Sequence, residues 1–240
     1  MTIMTKQPKP SRIVMHPAAR RSELVDAAQA LFFERGYEAT TINAIMERAG
    51  VSKGGLYHHF ASKEEILEAL ALRLAEQSLE RLGDVFDEPG LDGLARLNRF
   101  FARARQLKIE DAPQLRAAFD VLFKPESIVL YHRINDAIMP VVTPVLARII
   151  AQGRAEGLFD VPDPEATAAL VLQISAGSRE LMARAMSAGE GPEAEAVWDA
   201  FEDRLRFYGI AVDRILGIAD GSVAYVEPGF VRALMTARRS

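Results

Sequence analysis

Lys53, Gly54, Tyr57 and His58 lie within one short stretch, in which Leu56 and Phe60 stand a helical turn apart. On a helix, Leu56 and Phe60 face one way and the other four point away from them. An ammonium, a bare backbone position, a phenol and an imidazole on one face suit the edges of DNA bases and the phosphates beside them. Lys53 is able to donate to guanine O6/N7 or to a phosphate, and His58 to a base or a phosphate. Tyr57 offers its hydroxyl to phosphate and its ring to a thymine methyl. Gly54 and Gly55 each cost roughly 1 kcal/mol in a helix relative to alanine, and close approach of the backbone to a DNA strand would account for them. The plainer alternative is a solvated helix face, with Tyr57 half-buried in packing. His59, beside the inward pair, is expected to be structural.

The neighbouring elements place this face. Ser52 is an N-cap, and Val51 and Leu56 form a hydrophobic staple across the helix start. Before it, Ile42, Ile45, Met46 and Ala49 share one face of a short helix capped by Thr41, and Gly50 makes the turn. A longer helix precedes both, with Leu24, Ala27, Ala28, Leu31 and Phe32 at helical spacing and Gly36 at its end. Two short helices joined by a glycine turn after a longer one form a helix-turn-helix. Ser62 and Glu65 then make a capping box for a fourth helix running to about Gly83, along Ile66, Leu67, Leu70 and Leu74. Thr41 and Lys63 therefore sit at helix N-termini, where phosphates are held; Arg20 and Arg21 are able to contribute in the same way.

Charge sharpens the picture. The 240-residue chain carries −4 overall, which speaks against a polyanionic partner. Yet nine basic residues against five acidic ones give residues 1–63 a net +4, leaving −8 for the rest. A basic head on an acidic body confines polyanion attraction to one end. With no cysteine in the chain, disulfides and thiolate metal sites are excluded. Met1 to Pro17 does not read as a secretory signal, and no uninterrupted apolar run reaches the roughly 18–20 residues of a membrane span. The expectation is a cytoplasmic protein with no membrane partner.

Beyond Gly90 the periodicity predicts helices near 91–108, 113–124, 126–156, 164–187 and 193–216, with a short one around 230–237. Pro140 and Pro144 are expected to kink or divide the third of these. Nothing alternates with period two at length, so the fold class is all-α. The predicted organisation is a tail at 1–17, a three-helix helix-turn-helix domain at 18–64, a helical effector-binding and dimerisation domain at 65–216, and an extension at 217–240.

Candidate effector-binding residues are Phe119, Phe123, Tyr131, His132, Asn135 and Met139, with Phe101 as a further aromatic wall. His132 and Asn135 place polar groups on the mostly apolar stripe of Ile128, Tyr131, Ile138, Met139 and Val142, as a ligand pocket requires. Equally, they satisfy each other or a backbone carbonyl within a core. Helices 164–187 and 193–216 offer a dimer surface through small residues such as Ala169 and Gly177 and large ones such as Trp198, Phe201 and Tyr208; intramolecular core is the alternative. No metal site is expected, because only His132 among the four histidines lies outside the tail and the head. No cofactor or catalytic function is expected either: the chain has no Gly-x-Ser-x-Gly elbow, phosphate-binding glycine loop or His-Glu-x-x-His pair.

The runs Leu31-Phe32-Phe33-Glu34-Arg35-Gly36-Tyr37-Glu38-Ala39-Thr40-Thr41, Ala49-Gly50-Val51-Ser52-Lys53-Gly54, Leu56-Tyr57-His58-His59-Phe60 and Ser62-Lys63-Glu64 resemble the TetR family DNA-binding domain almost position for position. Gly55 departs from it, since family members often carry a small hydroxyl residue or alanine there; a side-chain contact from that position is lost. The remaining two-thirds resembles the family in architecture only. The resemblance implies a homodimer on a double-stranded, pseudo-palindromic operator. It also implies a small organic effector in the C-terminal domain that moves the fourth helix, and repression as the commoner behaviour. A helical DNA-binding or adaptor protein with no small-molecule effector is the alternative.

Overall fold

A computed structural model describes residues 17–237; most of the predicted tail lies outside the described residues. Eleven α-helices occur among them and no strand. The head comprises α1 (Pro17–Arg35), α2 (Ile42–Ala49), α3 (Lys53–Tyr57) and the first turns of α4 (Lys63–Glu80). Its caps are those the side chains favour. Thr41 Oγ1 accepts from Ala44 N at 3.2 Å and Ser52 Oγ from Gly55 N at 3.2 Å; such a cap is worth about 1 kcal/mol. Gly50 ends α2 in the left-handed region at φ 62°, where glycine bears no Cβ penalty. Ser62 Oγ accepts from Glu65 N at 3.3 Å, but the returning Glu65 carboxylate accepts from Ala61 N at 2.7 Å, one residue upstream of the usual capping box.

Leu24, Ala28, Phe32, Ile45, Leu56, Ile66, Leu67 and Leu70 are fully buried at the centre of the head. Each large one contributes about 1.5–3 kcal/mol by leaving water. This core does not close on itself: Ala118, Val121, Leu122 and Ile134 from the body complete it.

The body is built on α6 (Gly93–Phe119), α7 (Ile128–Ala155), α8 (Pro164–Ala176), α9 (Arg179–Ser187) and α10 (Pro192–Leu216), with α5 (Gly83–Asp87) before them and α11 (Phe230–Thr236) after. α7 has the length and composition of a membrane span, but here it is the central helix, packed against α4, α6 and α8. Where α6 begins, Gly93 crosses α7 at Gly153; a Cβ on Gly93 would stand 2.3 Å from the Gly153 Cα.

Three expectations need correction. α7 is one continuous helix, so Pro140 and Pro144 do not divide it. The two prolines are four residues apart and both exposed, so the carbonyls they leave without a donor lie toward solvent, where water can satisfy them. The helices expected at 91–108 and 113–124 are a single helix through Pro113, which ends at Phe119 and passes into a 3-10 turn, Asp120–Phe123. The helix expected at 164–187 instead divides at Gly177–Ser178 into α8 and α9.

The segment after α10 is fastened to the body by buried carboxylates. Asp213, fully buried, accepts from Gly221 N at 2.6 Å and Val223 N at 2.8 Å. Glu202 accepts from Gly229 N at 3.0 Å, and Asn98 and Arg105 of α6 grip the backbone between residues 222 and 225.

Candidate nucleic-acid interface

α3 turns Leu56 and, just beyond its end, Phe60 into the head core. Lys53, Gly54 and His58 are exposed on the other side, and Tyr57 keeps 49% of its surface. Lys53 has no ion pair or hydrogen bond among the described residues, so its charge stands free. The rings of His58 and His59 meet edge to face at 5.0 Å. His59 is half-buried, and its pKa is lowered first by desolvation and then by His58, Arg21 and Arg20.

The two glycines separate. A Cβ on Gly54 would meet nothing within 4 Å, whereas one on Gly55 would stand 2.8 Å from Val51 Cγ1 and 3.4 Å from Ser52 Oγ. Gly55 is therefore accounted for inside the head, beneath the Val51 staple. Only Gly54 is left to an external partner.

Among the outlying cations, Arg20 pairs with Glu23 at 2.7 Å and the Arg21 guanidinium lies 4.8 Å from the Phe60 ring centroid. Lys63 faces inward. Its Nζ donates to Tyr37 O and Thr40 O, both at 3.0 Å, and stands 4.0 Å from the Tyr37 ring centroid. Two of its three donors are thereby committed, which leaves one for a phosphate. Thr41 is exposed and its oxygen caps α2, while its hydroxyl proton remains available.

Sequence reasoning missed the role of Tyr37. Buried behind Lys63, its hydroxyl donates to Glu64 Oε1 at 3.2 Å. Burial first, and then the Glu64 carboxylate, push its pKa well above that of an ordinary phenol. Tyr37, Lys63 and Glu64 line one side of a cleft of about 440 Å³ between head and body, with Glu126 and Arg133 opposite. The tyrosine lies far from α4 in sequence, and only its aromatic type hinted at burial.

The six effector candidates lie along the end of α6, the 3-10 turn after it and α7. Phe119, Phe123 and Tyr131 pack against the head core, and Met139 is half-buried further along α7. Tyr131 Oη donates to Ala176 O at 2.7 Å, and Asn135 Nδ2 donates to Tyr131 O at 2.9 Å. Asn135 thus serves a backbone carbonyl. His132 is exposed, its ring edge-on to Tyr131 at 5.8 Å.

This arrangement defines a helix-turn-helix head on a helical body. Residues 24–70, which lie in the head, match the family model described as bacterial regulatory proteins, tetR family. The repressor KstR2 of Mycobacterium tuberculosis (strain H37Rv) is 40% identical over 90 residues, which cover 38% of this chain and 44% of that one. The repressor AcnR of Corynebacterium glutamicum is 36% identical over 75 residues, covering 31% and 38%. The chain therefore matches less than half the length of these curated relatives.

Among solved structures, RolR with resorcinol superposes with a TM-score of 0.60 at 16% identity, covering 93% of this chain and 97% of that one. The regulator FadR of Bacillus subtilis with stearoyl-CoA gives 0.50 at 19% identity, covering 76% and 96%. At these identities the likeness establishes the all-helical fold.

Proposed function

We propose that the protein is a DNA-binding transcriptional regulator of the TetR type, acting in the cytoplasm as a homodimer on a pseudo-palindromic operator. One observation carries this reading: the exposed face of α3, with Lys53 unpaired and Tyr57 and His58 beside it, in a head matched to that family. Lys53, Gly54, Tyr57 and His58 enter the major groove, and Thr41 and the third donor of Lys63 hold phosphates. KstR2 and AcnR are named repressors, which favours repression here. The solved complexes of RolR and FadR with organic molecules favour release by a small organic effector in the body. No catalytic step is part of this reading.

The test is a mobility shift on the DNA flanking the gene across a salt series. Specific binding falls steeply with salt and weakens in Lys53→Ala and Tyr57→Ala, with a shallower salt slope for Lys53→Ala. Full affinity in both variants would remove α3 as the reading element.

A further inference from the structure

A cavity of about 590 Å³ opens between α6 and the segment that follows α10, a volume within the usual range for small-molecule sites. Ala102, Gln106 and Ile109 recur along one side of α6 and form its floor, and Phe230 lines it from the C-terminal segment. That second wall is fixed from within. Arg105, at 9% side-chain exposure, donates to Ala224 O at 2.6 Å and Tyr225 O at 3.1 Å and pairs with Glu227. The buried Glu202 carboxylate accepts from Gly229 N at 3.0 Å and Val231 N at 3.4 Å. A wall held in this way is in place before any ligand arrives.

Two further arginines line the cavity, Arg99 and Arg103, one turn apart on α6. Neither makes a hydrogen bond among the described residues. Arg99 reaches Glu88 at 3.4 Å, and Arg103 reaches Glu110 at 3.7 Å. Glu110 is already occupied: it pairs with Arg81 at 2.6 Å and accepts from Gln106 Nε2 at 2.8 Å. Both guanidinium forks therefore have donors to offer an oxyanion, the group whose geometry they match. Charge decides which oxyanion. Three arginines on the lining, Arg99, Arg103 and Arg105, face two carboxylates, Asp84 and Glu227, which leaves one positive charge. A single carboxylate balances it, whereas a phosphate monoester brings nearly two charges at neutral pH.

We infer that this cavity takes a small organic monocarboxylate, its carboxylate on Arg99 and Arg103 and its apolar body along Ala102 and Ile109 toward Phe230. Six residues of α6 separate Arg103 from Ile109, a rise of roughly 9 Å, which suits a phenylalkyl or medium-chain alkyl body. Arg81, the C-cap of α4, is held by Glu110 and Asp111, so the site adjoins the end of the helix that leaves the head. The inference deepens the effector reading above and rests on it for its regulatory meaning; the binding chemistry stands on the cavity.

The experiment is calorimetric titration of the full chain with phenylpropanoate and octanoate, each beside its primary amide, and with phenyl phosphate. The acids bind at least roughly tenfold more tightly than the amides, as a charge-assisted contact requires, and more tightly than phenyl phosphate. Arg99→Gln combined with Arg103→Gln abolishes the preference for acid over amide. Its melting temperature stays near that of wild type, because neither guanidinium is hydrogen-bonded within the fold. Ala102→Leu fills the floor and leaves every charge in place; it weakens acid and amide alike, and it is the reporter if the double variant fails to fold. Equal binding of acid and amide, an undiminished preference in the double variant, full affinity in Ala102→Leu, tighter binding of phenyl phosphate, or no binding by either acid overturns the inference. A parallel mobility shift separates the two readings. Acid binding that depends on Arg99 and Arg103 but leaves DNA affinity untouched sustains the ligand class and refutes its regulatory role. Specific DNA binding by a chain that takes up neither acid refutes the cavity assignment and leaves the DNA-binding reading standing.

Discussion

Arg133 Nη2 of α7 stands 2.7 Å from Glu68 Oε1 of α4, joining the helix that leaves the head to the long helix of the body. That oxygen makes no aligned hydrogen bond, so the ion pair is what offsets its burial, at 20% side-chain exposure for Glu68 and 47% for Arg133. Any movement of α4 relative to α7 must stretch or re-form this contact.

Arg133→Ala therefore leaves a mostly buried carboxylate without a counter-charge. The expected loss is about 0.5–1 kcal/mol, discounted because the arginine is half in solvent. Glu68→Ala in the same background returns part of it. Urea unfolding of the two single variants and the double gives the coupling energy; a value within error of zero would show that the pair does not join the helices.

The adjacent glycines of α3 separate stability from recognition. Gly54→Ala adds a methyl in open space and relieves glycine's backbone entropy, for a gain of up to about 1 kcal/mol. DNA affinity is nevertheless expected to fall, because the methyl stands where a DNA strand approaches. Gly55→Ala presses on Val51 Cγ1 at 2.8 Å and is expected to cost about 1 kcal/mol or more. Thermal unfolding and operator affinity measured on both variants check the split. Unchanged affinity in Gly54→Ala would end the close-approach argument.

What was legible in the sequence follows from the range of the interactions concerned. Thr41, Ser52, Gly50 and the Val51–Leu56 staple each act over no more than five residues, and the structure has them as caps, turn and packing. Pro113, Pro140 and Pro144 carried a local signal to break a helix, but tertiary packing holds α6 and α7 continuous through them. Lys63 looked like a free cation at a helix start, because its partners Tyr37 and Thr40 lie 26 and 23 residues away. Asn135 looked like a pocket group until its own helix supplied the carbonyl it serves.

Acid should loosen the junction around α4. Desolvation alone would raise the Glu64 carboxyl pKa, but the backbone amide at the helix start, Ser62, Tyr37 and Lys63 outweigh it, and the net shift is below the ordinary 4.5. A carboxyl whose folded pKa is depressed contributes stability that is present above its unfolded pKa and lost as pH falls through the folded one. Glu64→Gln is therefore expected to be less stable than wild type near neutral pH. The difference should shrink below about pH 4.5 and close once the wild-type carboxyl is protonated. Urea midpoints from neutral pH down to about pH 3 test this; a difference independent of pH would assign the stabilisation to shape rather than charge.

The exposed faces of α8 and α10 make the last prediction. α10 buries Trp198, Phe201, Leu205 and Val212 in the body, yet Phe207 on its opposite side is 60% exposed, and Leu170 on α8 is 46% exposed. Ala166 on α8, Gly177 at its end and Ala200 on α10 are exposed as well, and their small size lets a second pair of helices approach closely. If the protein acts as the homodimer proposed above, an exposed ring of this size is where the contact between two copies would fall. Phe207→Arg places two like charges near the two-fold axis if this is the interface. It is expected to shift the protein from dimer to monomer by sedimentation, with little change in the helical signal of circular dichroism. Operator affinity should fall steeply in the same variant, because each half-site is then bound singly. A variant that stays dimeric would move the interface off α10 while leaving the reading face of α3 untouched.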